Sequence, residues 1–213
     1  FHGMWSYSSV FYAFVIIPLI EWRLKQPNTI YSDQEIEGRL KNKLFDLMLY
    51  LNVPIVFGLL SYGLLTLHQE VFAMYERIGI LSSLGILLAT NAINVAHELG
   101  HRLSRFERTL SKLLYMPCLY MHFFLEHNYG HHKNMATSDD PATARYNQPL
   151  YSFWISSVIN QYKNAWKIQF RLLSSKQKSF FSFENDMLFY LLFQGLYLGL
   201  IFAYLGSEGL HTA

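Results

Sequence analysis

The sequence predicts an all-α fold, a polytopic transmembrane helical bundle with cytoplasmic histidine-rich segments. Three observations predict it. Of 213 residues, 52% are hydrophobic and only 15% are charged, an oilier balance than an ordinary soluble domain carries. Four uncharged stretches approach the roughly 20 residues that a helix needs to cross about 30 Å of hydrocarbon. The basic residues fall into blocks whose order relative to those stretches is consistent with one side of a bilayer.

The elements follow in chain order, with spans expected over about 4–22, 46–67, 77–97 and 187–207. Met4 to Ile20 is uncharged, holds Pro18 as an expected kink, and ends at Glu21-Trp22-Arg23. It has neither the basic leader nor the small-residue cleavage site of a signal peptide. Because the chain opens on Phe1 rather than Met, it is expected to begin inside a longer protein. Leu47 to Leu67 is uncharged over 21 residues, Ile78 to Ala96 leads directly into His97, and Met187 to Ser207 is uncharged and rich in Phe, Tyr, Leu and Gly. A soluble core of this size rarely encloses four such rods. One integral membrane domain over 1–213 is therefore expected. Gly58, Gly63, Gly79 and Gly85 are expected to let helices approach closely, and Trp5, Trp22 and Tyr75 to anchor span ends at the interface.

Orientation comes from Lys and Arg. The segment 23–43 holds five (Arg23, Lys25, Arg39, Lys41, Lys43), the connection 68–77 holds only Arg77, and 102–178 holds the other eleven. Basic connections lie on the cytoplasmic side, which places 23–43 and 97–186 there and 68–77 opposite. Leu110 to Leu125 is apolar but carries Lys112, Pro117 and His122; its length reaches only about 24 Å, so it is not expected to cross. The region 149–186 mixes Trp154, Trp166, Phe170 and Phe180 with Lys163, Lys167, Arg171, Lys176 and Lys178, the composition of an amphipathic interfacial segment.

Composition also excludes. Disorder and collagen-like structure do not fit, and 17 basic against 15 acidic residues give a net charge of +2, no electrostatic footprint for nucleic acid. No nucleic-acid partner is expected. A single cysteine, Cys118, excludes an intrachain disulfide framework and any cluster held by four thiolates from this chain. Cys118, beside Pro117, reads as a small apolar filler. Metal chemistry must use other ligands.

Six of the nine histidines fall between positions 97 and 132. His97-Glu98-Leu99-Gly100-His101 places two imidazoles at i and i+4, neighbours on one helix face and able to hold one ion. Glu126-His127-Asn128-Tyr129-Gly130-His131-His132 repeats that spacing at 127 and 131 and adds an adjacent third. The first motif alone also fits a zinc protease, in which Glu98 would be the general base. The longer metzincin pattern fails: Ser104 stands where its glycine belongs and Glu107 where its third histidine belongs. Five imidazoles exceed what one catalytic zinc uses, and a set of that kind without thiolate suits iron or another first-row metal with positions open to oxygen, two ions rather than one. A haem-anchoring or metal-transport bundle is the non-enzymatic alternative.

In order, Asn94-Val95-Ala96 with HELGH and Arg102, then Glu126 with HNYGHH, then Asp140-Pro141-Ala142-Thr143-Ala144-Arg145 resembles the membrane-bound alkane hydroxylases (alkane monooxygenases). The resemblance covers most of the chain; desaturases, fatty acid hydroxylases and xylene monooxygenase share histidine boxes with different wording around them. It implies a non-haem diiron enzyme of the bacterial inner (cytoplasmic) membrane. Such an enzyme uses dioxygen to hydroxylate the terminal methyl of a medium-length alkane, with electrons from rubredoxin and its NADH-dependent rubredoxin reductase. By motif match it implies His97 and His101 as ligands from the first box, and His127, His131 and His132 from the second. Glu98 and Glu126 are expected to accept the distal N–H of ligand imidazoles and so orient them. Asp140 is expected to do the same or to cap the turn at Pro141.

His122, within apolar LYMHFF, is expected to pack or to support a ligand rather than to bind metal. His68, following the second span, reads as a solvated or headgroup-level residue, and His2 and His211 carry no motif. The resemblance also implies a later three-histidine box and a His-Tyr-Gly motif, neither of which occurs before Ala213. The chain is therefore expected to be a fragment that lacks further ligands and is inactive alone.

Overall fold

The computed structural model describes residues 2–24, 31–69 and 71–212. It is all-helical among the described residues, with the elements α1 (Gly3–Arg23), α2 (Asp33–Leu40), α3 (Lys43–Gln69), α4 (Met74–Gly100), α5 (Arg105–Tyr115), α6 (residues 123–134), α7 (Leu150–Ser175) and α8 (Asp186–Gly206). Four helical runs are long and apolar enough to cross a membrane: Gly3–Arg23, Asp33–Gln69 (its apolar part in α3), Met74–Gly100 and Asp186–Gly206. The protein is a multi-pass membrane protein. Their outward faces are greasy; Phe14, for example, is 71% exposed, the surface expected where lipid replaces water. Lys25 and His211 lie outside the residues whose side chains are described.

Two compact units form, residues 1–95 with 204–213 and residues 96–203, where one domain is expected from the sequence. In the first unit α1 opens as a 3₁₀ turn that packs on the start of α4. The Tyr7 hydroxyl donates to Tyr75 O at 2.9 Å and the Ser83 hydroxyl to Ser6 O at 2.8 Å. Gly79 admits this approach, since a Cβ there would stand 2.3 Å from Ser6 Oγ; at Gly63 it would stand 2.9 Å from Leu84 Cδ2. Gly58 and Gly85 face open space instead, so two of the four glycines carry the close packing expected of all of them. Pro18 produces not a simple kink but a π-turn at Tyr12–Ile16 just before it, which absorbs the helical bond its missing N–H cannot make. Across α3 and α4 the Asn91 amide donates to Asn52 Oδ1 at 2.9 Å, a polar clasp of the kind that joins helices in lipid.

In the second unit α5 stops at Tyr115, and the chain turns through Pro117 and Leu119 (φ 51°) before α6. The apolar stretch 110–125 is thus a helix, a turn and a helix rather than a span. Its side chains make the core: Leu114, Tyr115, Phe124 and Leu125 are buried with Leu99. The Ser111 hydroxyl reaches Ala96 O at 2.6 Å, fixing α5 against the last turns of α4.

α7 packs along α6 with an inward face that is unusually polar: Ser157, Gln161, Ala165, Ile168, Gln169 and Leu173 are buried. The Gln161 amide is satisfied by the Tyr120 hydroxyl and by donation to Ser157, whereas Gln169 donates to Glu184 O at 2.9 Å but its buried Oε1 has no partner among the described residues. Buried polar groups require such partners. Other large apolar residues of α7, among them Trp154, Ile155, Val158 and Ile159, point outward.

Candidate metal centre

His97 lies in the last turn of α4 and His101 directly after it, so the i, i+4 spacing sets both rings on one face, with centroids 4.5 Å apart. His127, His131 and His132 lie on α6, which winds as a π-helix over His127–His131. That winding matters for His132. In an α-helix, residues five apart point about 140° away from each other, whereas at about 4.4 residues per turn the angle closes to about 50°. His132 therefore joins the His127 face, and its Nε2 stands 3.0 Å from His127 Nε2.

The two motifs meet. His97 Nε2 is 2.7 Å from His127 Nε2, His101 Nε2 is 3.1 Å from His97 Nε2, and His127 Nε2 is 3.3 Å from His101 Nε2. Three mutually adjacent nitrogens cannot satisfy one another by hydrogen bonds, because a neutral imidazole has one N–H and the remaining lone pairs would face each other. Nitrogens that bind one ion at about 2.0–2.1 Å sit about 2.9–3.4 Å apart, close to the separations found. The donor chemistry and spacing fit a metal ion held by His97, His101 and His127, with His132 adjoining through His127.

Surroundings favour neutral imidazoles. Burial, then the neighbouring His97, His132, His101 and His131, push the His127 imidazole down to about 3. Burial, then His101 and His131, also lower His132. Unprotonated rings are the metal-binding form. Phe123 stacks on His127 with ring centroids 4.9 Å apart.

His131 is oriented differently. Its ring stacks on His127 at 5.3 Å, and its Nδ1 lies 3.0 Å from Asp140 Oδ2. The carboxylate fixes the tautomer in which Nδ1 carries the proton and leaves Nε2 as the free donor. Burial works to raise the Asp140 carboxyl, but hydrogen bonds from Thr143, the Ala142 N–H and His131 outweigh it and leave it below its ordinary value. Asp140 thus bonds to the His131 imidazole and also closes the turn at Pro141.

The two glutamates are placed otherwise than expected. Glu98 points out to Arg102, with Oε1 3.1 Å from the guanidinium, and not to an imidazole. Glu126 is fully buried; its Oε1 accepts from the Asn164 amide at 3.2 Å, and its Oε2 has no protein partner. Burial raises its carboxyl above the ordinary value, with the Asn164 bond opposing and Asp140 adding to the rise. His122 is buried between Tyr120 and Tyr162, apart from the convergent nitrogens, and its Nε2 has no partner among the described residues. Packing is its visible role.

The sequence reading gives no role to Asn164, and names Thr143 only as part of the Asp140 motif. Thr143 sits three residues from Asp140 in a turn and could have been found as a local cap. Asn164 carries no such signal, because it meets Glu126 across 38 residues of chain.

Against this geometry the profile of the fatty acid desaturase family matches residues 77–212. The chain belongs to that family. Within the desaturase family's range of proteins it is similar to curated relatives named for oxygenases. Alkane 1-monooxygenase 1 of Alcanivorax borkumensis is 32% identical over 186 residues, covering 84% of this chain and 46% of the relative. Alkane 1-monooxygenase of Pseudomonas putida is 30% identical over 185 residues, with the same two coverages. The xylene/toluene monooxygenase hydroxylase component XylM of Pseudomonas putida is 30% identical over 168 residues, covering 78% of this chain and 45% of the relative. The chain spans about half the length of the curated relatives it matches.

Proposed function

We propose that the protein to which this chain belongs is an oxygen-dependent hydroxylase of the terminal methyl of medium-chain alkanes. The observation that carries the reading is the convergence of His97, His101 and His127 from two separate motifs to within 3.3 Å, in a membrane protein similar to alkane 1-monooxygenases. In the proposed reaction an alkane, dioxygen, two electrons and two protons give a primary alcohol and water. The electrons come from rubredoxin, itself reduced by its NADH-dependent reductase.

Iron held by these imidazoles would supply the redox chemistry that activates dioxygen toward a C–H bond. The chain's own residues do the rest. His97, His101, His127 and His132 offer Nε2 donors, and His131 offers Nε2 because Asp140 holds its Nδ1 proton. Five imidazoles support two irons rather than one. The buried Glu126 and the Phe123 ring limit water on the α6 side of the rings. The bacterial sources of the relatives support an inner membrane location, and the distribution of Lys and Arg supports 97–186 at the cytoplasmic face, where a soluble electron donor has access and an apolar substrate arrives through lipid.

The test is a turnover assay on the full-length protein in membranes, with rubredoxin, its reductase, NADH and octane. Formation of 1-octanol in step with oxygen uptake is expected. Oxygen-independent turnover, or a desaturated product in place of the alcohol, would overturn the assignment.

A further inference from the structure

α7 presents three kinds of surface. Along the first half of the helix, next to its buried polar face, Tyr151, Trp154, Ile155, Val158, Ile159 and Tyr162 are all exposed at helical spacing. Along its second half, on the side away from the buried face, Lys163, Lys167 and Arg171 recur on successive turns, also exposed. Bulk water penalises the first stripe and a bilayer core penalises the second. α7 is not one of the helices apolar enough to cross. A helix that is greasy over its first half and cationic over its second matches the boundary between headgroups and acyl chains.

Two further features mark the same end of the helix. Trp166, Phe170 and Phe180 form an aromatic cluster with centroids 5.7 to 6.0 Å apart, and beyond it Phe181 and Phe183 are 84% and 91% exposed. Aromatic rings gather at headgroup level. Adjoining the cluster, Lys167 and Arg171 join Lys133 of α6 around a cavity of about 730 Å³, lined also by Phe170, Asn164 and Asp139. Three cations against one carboxylate leave that cavity with a charge of +2. Among the described residues none of the three cations has an ion-pair partner, whereas nearby Lys176 and Lys178 are held by Glu184 at 2.7 and 3.3 Å.

We propose that the Lys133–Lys167–Arg171 cavity binds the phosphate of an anionic phospholipid headgroup while the apolar stripe of α7 rests in the acyl boundary. An acidic protein partner would account for the cations but would leave the stripe and the exposed Phe181 and Phe183 facing water. A lipid accounts for both.

The experiment reconstitutes the full-length protein in phosphatidylcholine bilayers carrying spin-labelled phosphatidylglycerol or spin-labelled phosphatidylcholine, and reads the motionally restricted lipid at the protein surface. The unmodified protein is expected to prefer phosphatidylglycerol several-fold, less so as salt rises. Lys167→Gln with Arg171→Gln should lower that preference by about fivefold or more, and Lys176→Gln with Lys178→Gln should keep it. No preference in the unmodified protein, a preference insensitive to salt, or an equal loss in the control pair would overturn the site. So would an acidic soluble protein whose binding depends on Lys167 and Arg171 while lipid preference does not.

Discussion

His131 directs Nδ1 at the buried Asp140 carboxylate, 3.0 Å away and only nine residues along the chain. Both groups belong to the second unit, and the bond decides which imidazole nitrogen is available as a donor. Asp140→Asn keeps the size of the side chain but lets the amide turn its N–H₂ toward the ring, so the tautomer is no longer fixed. Iron affinity should fall about 10- to 100-fold. Chelator competition on the purified protein checks this, and an unchanged affinity would detach Asp140 from the centre.

Gly130 occupies the π-turn at its tightest point. A Cβ there would stand 2.8 Å from Asn164 Nδ2 and 2.9 Å from both Glu126 Oε1 and Ile168 Cδ1. Relieving that crowding means separating Asn164 from Glu126 or shifting α6, so Gly130→Ala is expected to cost about 1 to 3 kcal/mol. Thermal unfolding in detergent measures it, and iron content measured on the folded fraction should drop as well. A variant as stable and as metal-rich as its parent would mean the π-turn tolerates the added methyl.

Glu98 separates the oxygenase from the zinc protease suggested by HELGH. Its pair with Arg102 is exposed to solvent, the sort of pair that contributes less than about 1 kcal/mol. Glu98→Gln should retain iron and hydroxylation to within about twofold. In a protease the same change removes the general base and abolishes cleavage.

His122 predicts a pH dependence. Burial pushes its imidazole down to about 4, while in the unfolded chain it titrates near 6.5. Between those values the unfolded state binds more protons than the folded state, so folded stability is full above about pH 6.5 and declines as pH falls toward 4. Other buried histidines add to the decline. His122→Leu removes this residue's share and its partnerless Nε2, so the variant should lose less stability than its parent between about pH 7 and pH 5. An identical pH profile for the two proteins would mean that His122 is solvated.

The spans and the histidine motifs are legible in the sequence because they rest on local rules, a run of apolar residues for the first and i, i+4 spacing for the second. His97 and His101 follow from a helix alone. His132 does not, since ordinary α-helical winding points it away from His127 and only the π-turn recruits it. Glu98 and Glu126 show why chemistry alone misplaces side chains. Both are carboxylates next to a histidine of the cluster, yet Glu98 finds an arginine one turn on and Glu126 finds Asn164 on a helix 38 residues away. The packing of α7 is equally hidden, because the amphipathic pattern of 149–186 does not reveal that Gln161 and Gln169 lie on the side that packs.

The central claim is that two motifs 30 residues apart share one metal centre. Iron content and X-ray absorption of the purified full-length protein test it most directly, compared among the unmodified form, His97→Ala and His127→Ala. A first shell dominated by imidazole nitrogen, lost to a similar extent in either variant, is the predicted result. Full retention of iron in His127→Ala alongside its loss in His97→Ala would contradict the shared centre, as would a first shell containing sulfur.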